Sequence, residues 1–226
     1  MAIAIVLSPT EARNILNKTQ QGLVRRSVKF YKAVKNDIEK YGNATIVCVC
    51  SKGGKSLCFD AFNGFYELKE KWNTTPIILN GKVICKFECE NVEDIKLPYT
   101  YFGTNKWVGC ENDRKLQTET INEEQLLKLS CLKEEEIYKY LNFKKSPDYV
   151  GVFIHISNLK IFETPKEIKE LIKPHTLFDI AKVECHKKDI GMCNDGLSLK
   201  TGKWIGCNKF RLTQAPRNFV HVEDLK

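Results

Sequence analysis

The sequence predicts an α+β fold, with a mixed or antiparallel β-barrel flanked by short helices. Three observations carry this. Runs of β-forming residues at 2–7, 23–30, 45–50, 82–91, 149–156 and 219–222 are spread over the whole chain. They are joined by uneven helices and irregular excursions, whereas a doubly wound parallel sheet needs regular crossovers. With 226 residues, 42% of them hydrophobic, the chain is long enough for a real core. No internal repeat, low-complexity tract or linker divides it. Residues 1–226 are therefore read as one domain, with excursions at about 53–80 and 98–120 and a loop-rich tail at 174–212.

Each element has a local reason. Residues 2–7 form a short buried strand. Ser8 caps a helix, with Pro9 in the first turn and Glu11 at the third position, which is the Ser-x-x-Glu capping box. Ala12, Ile15 and Leu16 give that helix its buried stripe. The strand expected at 23–30 alternates, so Arg25 and Arg26 fall on opposite faces and at most one lines a cleft. A helix at 32–41 stops at Gly42-Asn43. Residues 45–50 form a strand, and the following Lys52-Gly53-Gly54-Lys55 loop lacks the GxxxxGK[ST] spacing of a P-loop.

Residues 57–80 read as an irregular excursion holding Phe59, Phe62, Phe65, Tyr66 and Trp72. Asn80-Gly81 turns the chain into a half-buried strand, where Val83, Cys85, Phe87 and Cys89 share one face. A second excursion carries Tyr99, Tyr101 and Trp107. Asn122 caps a helix with Gln125 at its third position, and 132–141 forms another with glutamates at its positive end. Residues 149–156 are a strongly apolar strand. Thr164-Pro165-Lys166-Glu167 reads as a second capping box, opening a helix that Pro174 ends.

Lys and Arg number 36 against 28 Asp and Glu, a formal charge of +8. That balance favours polyanionic partners such as RNA or DNA, against the plainer reading of a solvating lysine-rich surface. Ten cysteines would suggest disulfides in a secreted chain. The start, MAIAIVLS, has no basic n-region and only a short apolar run, so it reads as a strand and not a signal peptide. No stretch approaches the roughly 20 apolar residues of a membrane span. The expectation is a cytoplasmic protein with reduced thiols and no membrane partner.

LLKLSCLKEEEIYKYL (126–141), HISNLKIFETPKEI (155–168) and RLTQAPRNFVHVEDL (211–225), with NGKVICKFECENVEDI (80–95) and Cys50-Ser51-Lys52-Gly53 at a strand end, resemble the ASCH-domain proteins of phages and prophages of Gram-positive bacteria. The resemblance spans nearly the whole chain and is most specific in the last third. It implies a PUA-like, partly open β-barrel flanked by short helices, with loop-rich insertions and a cleft for RNA or a modified nucleobase. Some ASCH-domain proteins are linked to RNA cleavage or to hydrolysis of acetylated cytidine, and carry their cleft groups in a "GxKxxExR" turn. Position by position, the glycine of that turn is Lys18, the lysine is Gln20, the glutamate or threonine is Leu23, and the arginine is kept as Arg25. Gln20 and Leu23 cannot activate water or a hydroxyl. No catalytic residue is therefore assigned, and a binding protein is expected. In the last motif a Gln-Ser-Trp of the family stands as Arg217-Asn218-Phe219, which keeps an aromatic and gains a charge.

The candidate set for RNA or a nucleotide is Lys18, Arg25, Lys52, His155, Arg217 and Phe219. Arginine suits phosphate or a base edge, and the lysines could add phosphate contacts. His155 shares a strand face with Phe153 and Gly151, and reads either as a core histidine satisfied by a backbone group or as a cleft residue. Cys48 with Cys50, and Cys85 with Cys89, read as small core residues. Cys185, His186, Cys193 and Cys207, with His175 as an extra ligand, form a weak zinc pattern without a CxxC pair. No other cofactor is implied. Two alternatives stay open. One is a nucleoside amidohydrolase or ribonuclease. The other is an anti-defence protein that inhibits a bacterial defence nuclease, with its aromatic excursions as the contact surface.

Overall fold

Strand β1 (Ala2–Leu7) leads into helix α1 (Pro9–Leu16), strand β2 (Gly22–Arg25), helix α2 (Val28–Tyr41) and strand β3 (Ala44–Cys50). Then come β4 (Ser56–Asp60), β5 (Phe65–Lys69), β6 (Lys82–Cys89) and β7 (Val92–Ile95), helices α3 (Glu123–Ser130) and α4 (Glu134–Leu141), and strands β8 (Gly151–His155), β9 (Ser157–Glu167) and β10 (Phe219–Val222). This is a computed structural model, and it describes residues 1–70, 76–96, 115–141, 151–174 and 211–225.

The strands form a five-stranded sheet in the order β10-β1-β3-β6-β9, a three-stranded sheet in the order β2-β8-β7, and a separate β4-β5 hairpin. The β1–β3 pair is parallel and the other paired strands are antiparallel. The α+β expectation therefore holds, with a mixed large sheet. Among the described residues no strand pairing closes a ring, so no closed barrel forms among them.

Alternation places the core. Ile3, Ile5 and Leu7 of β1 and Ile46, Cys48 and Cys50 of β3 meet Leu23, Val152 and Ile154 of the second sheet. Their sequence neighbours Ala2, Ala4, Val47 and Val49 pack on the other side against Leu171, Leu212 and Val222. Val24, Ile95 and Phe153, on the far face of the small sheet, are covered by Leu126, Ile137 and Leu141 of α3 and α4. Burying each of the Val, Leu, Ile and Phe side chains among these contributes about 1.5–3 kcal/mol.

Four expectations are corrected. The strand expected at 23–30 ends at Arg25. Ser27 then caps α2, its side chain accepting from Phe30 N at 3.2 Å, so the helix starts at Val28 and not at 32. The 57–80 excursion contains the β4–β5 hairpin, whose turn is built on Asp60 accepting from Phe62 N and Asn63 N, with Gly64 at φ 75°. Val83 does not share the face of Cys85. A bulge between them puts Val83 in the second cluster, while Ile84, Cys85, Phe87 and Cys89 join the first. The capping box at Thr164-Pro165 opens no helix there. β9 pairs with β6 as far as Glu167, and a short 3-10 turn (Ile168–Glu170) follows. A neighbouring strand with open hydrogen-bonding groups outweighs local helix propensity at that point.

Candidate functional site

The opening capping box sets up the site. Ser8 Oγ accepts from Glu11 N at 3.2 Å, and Glu11 Oε2 accepts from Ser8 N and Ser8 Oγ, both at 3.0 Å. That leaves Oε1 facing away from the cap, where it accepts from Arg25 Nη1 at 2.7 Å. The same Nη1 donates to Val24 O at 2.8 Å. The Arg25 side chain is 16% exposed and that of Glu11 28%. Burial alone would raise the Glu11 carboxyl, but the charge of Arg25 and the hydrogen bonds from Ser8 outweigh it, so the group titrates below its ordinary value. Glu11 thus ties α1 to the end of β2 and holds the Arg25 guanidinium in place.

Around this pair lies a cleft of about 530 Å³, where β1, α1, β2, α2, α4 and β10 come together. Ile5 and Val6 of β1 and Phe30 of α2 form its apolar side. Arg25, Arg26 and Ser27 line it from the end of β2, Tyr140 from α4, and Arg217, Asn218 and Phe219 from the start of β10. The Phe30 and Phe219 rings sit with centroids 5.4 Å apart. Arg26 and Arg217 are exposed, and their side chains make no hydrogen bond or ion pair with the described residues. Ser27 is the N-cap of α2, a helix with no acidic residue in its first turn, so the positive end of its dipole is uncompensated beside the cleft.

Of the six expected ligand residues, the fold brings together Arg25, Arg217 and Phe219. Lys18, Lys52 and His155 lie outside this cleft. Lys18 is exposed just past the end of α1 at φ 59°, the left-handed region. Lys52 is exposed with its stem over Gly81, where a Cβ would come within 3.0 Å of the lysine Cγ. His155 is satisfied neither by a backbone group through its ring nor by the cleft. Its Nε2 meets Glu93 Oε1 at 2.5 Å, and its ring packs edge-on against Phe153.

The opposite-face argument for Arg25 and Arg26 fails for a simple reason. β2 ends at Arg25, so strand alternation does not govern Arg26, and both line the cleft. Sequence reading also missed Glu11, Phe30 and Tyr140 as cleft residues. Glu11 was legible only as a cap, and Phe30 and Tyr140 only as members of their elements.

Gln20 and Leu23, the positions at which the resemblance implies cleft groups, point elsewhere. Leu23 is fully buried in the core between the sheets. Gln20 is 5% exposed and donates through Nε2 to Gly22 O at 2.9 Å, while its Oε1 has no partner. Neither lines the cleft.

The strand cysteines are core residues, as expected. Cys48, Cys50, Cys85 and Cys89 are buried and free. Burial pushes the Cys48 thiol well up, and raises Cys50 and Cys89 to about 12. His175, Cys185, His186, Cys193 and Cys207 lie outside the described residues, as do Trp72, Tyr99, Tyr101 and Trp107. Among the described residues no cluster of three or more His, Cys, Asp or Glu could hold a metal ion, and no helix is long and apolar enough to cross a membrane.

No protein-family profile matches the chain, and no curated protein matches it. Among solved structures, the N-terminal domain of Staphylothermus marinus McrB aligns over 74% of this chain and 76% of its own, at 9% identity and a TM-score of 0.36. A likeness of that size is coarse and carries no functional argument. The ASCH resemblance therefore rests on the sequence motifs themselves.

Proposed function

We propose that the chain binds RNA or a nucleotide in the cleft between the end of β2 and the start of β10. The observation that supports this is where the arginines lie. The chain has 30 lysines and six arginines, and three of those six, Arg25, Arg26 and Arg217, line one concave site with Phe30, Tyr140 and Phe219. Arginine binds phosphate with two parallel donors and stacks on flat rings, which lysine does not. Aromatic walls offer a face for a base. The positions that carry ionisable groups in the related turn are Gln20 and Leu23, one tied to a backbone carbonyl and one sealed in the core, so binding without turnover is the reading.

The test is fluorescence anisotropy with short single-stranded RNA at low salt, alongside turnover assays with acetylated cytidine and RNA. Binding is expected, weakened at least tenfold by Arg26→Ala with Arg217→Ala together, with no turnover. No binding of RNA or nucleotide at low salt would overturn the proposal. Turnover by the wild-type chain would favour the hydrolase or ribonuclease alternative.

A second reading has its own observation. The β4–β5 hairpin pairs with neither sheet, packs Leu57 and Tyr66 on the core, and carries Phe59, Phe62 and Phe65 at 48%, 96% and 50% exposure, next to Ile77 at 70%. Exposed aromatics clustered in this way suit a protein contact. They favour the protein-binding part of the alternative; that the partner is a bacterial defence nuclease is a proposal for the test. A pull-down from bacterial lysate that recovers one stoichiometric, nuclease-resistant partner, lost on Phe62→Ser, is the result that would favour it.

A further inference from the structure

The charge balance and shape of the arginine cleft say more about its ligand than that it is a nucleic acid. We infer that the cleft takes a phosphomonoester, meaning a nucleoside monophosphate or the terminal phosphate of a strand, in preference to the internal diester of a continuous strand. The inference rests on the proposed nucleotide-binding reading and narrows it.

Three arginines against one glutamate leave two unbalanced positive charges. Glu11 is committed to Arg25 at 2.7 Å, so the unbalanced pair is in effect Arg26 and Arg217, both exposed and without a side-chain partner among the described residues. A phosphomonoester carries about −1.5 to −2 near pH 7 and presents three acceptor oxygens, which matches two guanidinium forks. An internal diester carries one negative charge and would leave one fork unmatched.

Arg25 is already oriented. Its Nη1 is spent on Glu11 and Val24 O, and its other nitrogens make no hydrogen bond with the described residues. The uncompensated positive end of α2 at Ser27 adds to the same anion preference.

Shape points the same way. A continuous single strand needs a basic track that follows its backbone. Lys18 and Lys52, the two lysines expected to add phosphate contacts, do not line the cleft. Its inner side is closed by Ile5 and Phe30, which are 2% and 3% exposed. About 530 Å³ with one aromatic pair suits a single nucleoside with its phosphate.

Isothermal titration with the full chain tests this, using cytidine, cytidine 5′- and 3′-monophosphate, inorganic phosphate and the dinucleoside diester cytidylyl-cytidine, at fixed salt. Short RNA with and without a terminal phosphate forms a second series. A monophosphate is expected to bind at least tenfold tighter than cytidine, the diester or inorganic phosphate. Arg26→Ala and Arg217→Ala, both exposed positions, are each expected to reduce that advantage to about threefold or less. A diester that binds as tightly as the monophosphate overturns the inference, as does RNA whose affinity ignores removal of its terminal phosphate; in both cases nucleotide binding itself would stand. Inorganic phosphate binding as tightly as the monophosphate also overturns it, because the aromatic walls would then read nothing. If no phosphate-bearing probe binds, the inference and the proposed function fall together.

Discussion

Lys18 sits directly after the C-cap Asn17 of α1 at φ 59°, with its N–H donating to Ile15 O at 2.9 Å. Lysine is strained there, and glycine is not. The motif that the chain resembles has glycine at this position. Lys18→Gly is expected to raise stability by about 0.5–1 kcal/mol in urea unfolding, and to leave ligand binding unchanged because Lys18 does not line the cleft.

Glu93 is the opposite case, a residue whose role no local pattern announces. It is 4% exposed and accepts from Thr118 Oγ1, Thr120 N and Thr120 Oγ1 at 2.7–2.9 Å, besides its contact with His155. Burial alone would raise its carboxyl, but these hydrogen bonds bring it down to about 2, from 4.5. A carboxyl depressed on folding stabilises the protein above its unfolded value, and that contribution is lost as pH falls from about 4.5 towards 2. Acid unfolding followed by circular dichroism is expected to steepen in that window. Glu93→Gln is expected to flatten the curve there and to cost about 2–3 kcal/mol at neutral pH, because it leaves buried donors short of an acceptor. His155 looked like a core or cleft residue from its strand face alone. Its partner sits 62 residues away in sequence, which no periodicity reveals.

At the scale of elements, patterns that depend on near neighbours were read well. The capping boxes of α1 and α3, the Gly42 stop of α2 and the β10 strand are all where their local signals place them. The errors fall where a second strand decides. β9 runs through Thr164-Pro165 because Lys166 and Glu167 find partners at Val83 and Lys82 of β6.

The β2–β8 pair shows how tight such a decision can be. The Phe153 ring lies over Gly22, and a Cβ there would come within 1.9 Å of the ring. Gly22→Ala is expected to cost about 2–3 kcal/mol by overpacking, read as a lowered thermal midpoint. The strand cysteines give a second check. Native alkylation followed by peptide mass mapping is expected to label the exposed Cys131 and to leave Cys48, Cys50, Cys85 and Cys89 unmodified until denaturant is added.

At the scale of the whole molecule, the cleft exists because distant pieces converge. β10 pairs with β1, which carries Arg217 and Phe219 to the edge where β2 delivers Arg25 and Arg26, more than 190 residues earlier in sequence. RNA binding there is expected to weaken with salt. The log–log slope should be shallow, about −0.7 for each neutralised phosphate contact, and each of Arg26→Ala and Arg217→Ala should lower it by about that amount. A much steeper slope would mean that the lysine-rich surface, and not this cleft, carries the binding.

The amino-acid sequence by itself determined the α+β class, most of the helix caps and stops, the central strands, the buried cysteines, and Arg25, Arg217 and Phe219 as ligand candidates. The structural part of this rests on contacts a few residues apart or on simple alternation, and the three ligand candidates on the motifs that resemble the ASCH-domain proteins. Only the tertiary structure decided that no ring of strands closes among the described residues, that Arg26 joins Arg25, that Lys18, Lys52 and His155 stand elsewhere, and that Glu11 is both a helix cap and the anchor of the cleft arginine. Each of these depends on which strand ends where and on what packs beside it. Those are long-range choices, made by the pairing of backbone hydrogen bonds and the burial of apolar faces.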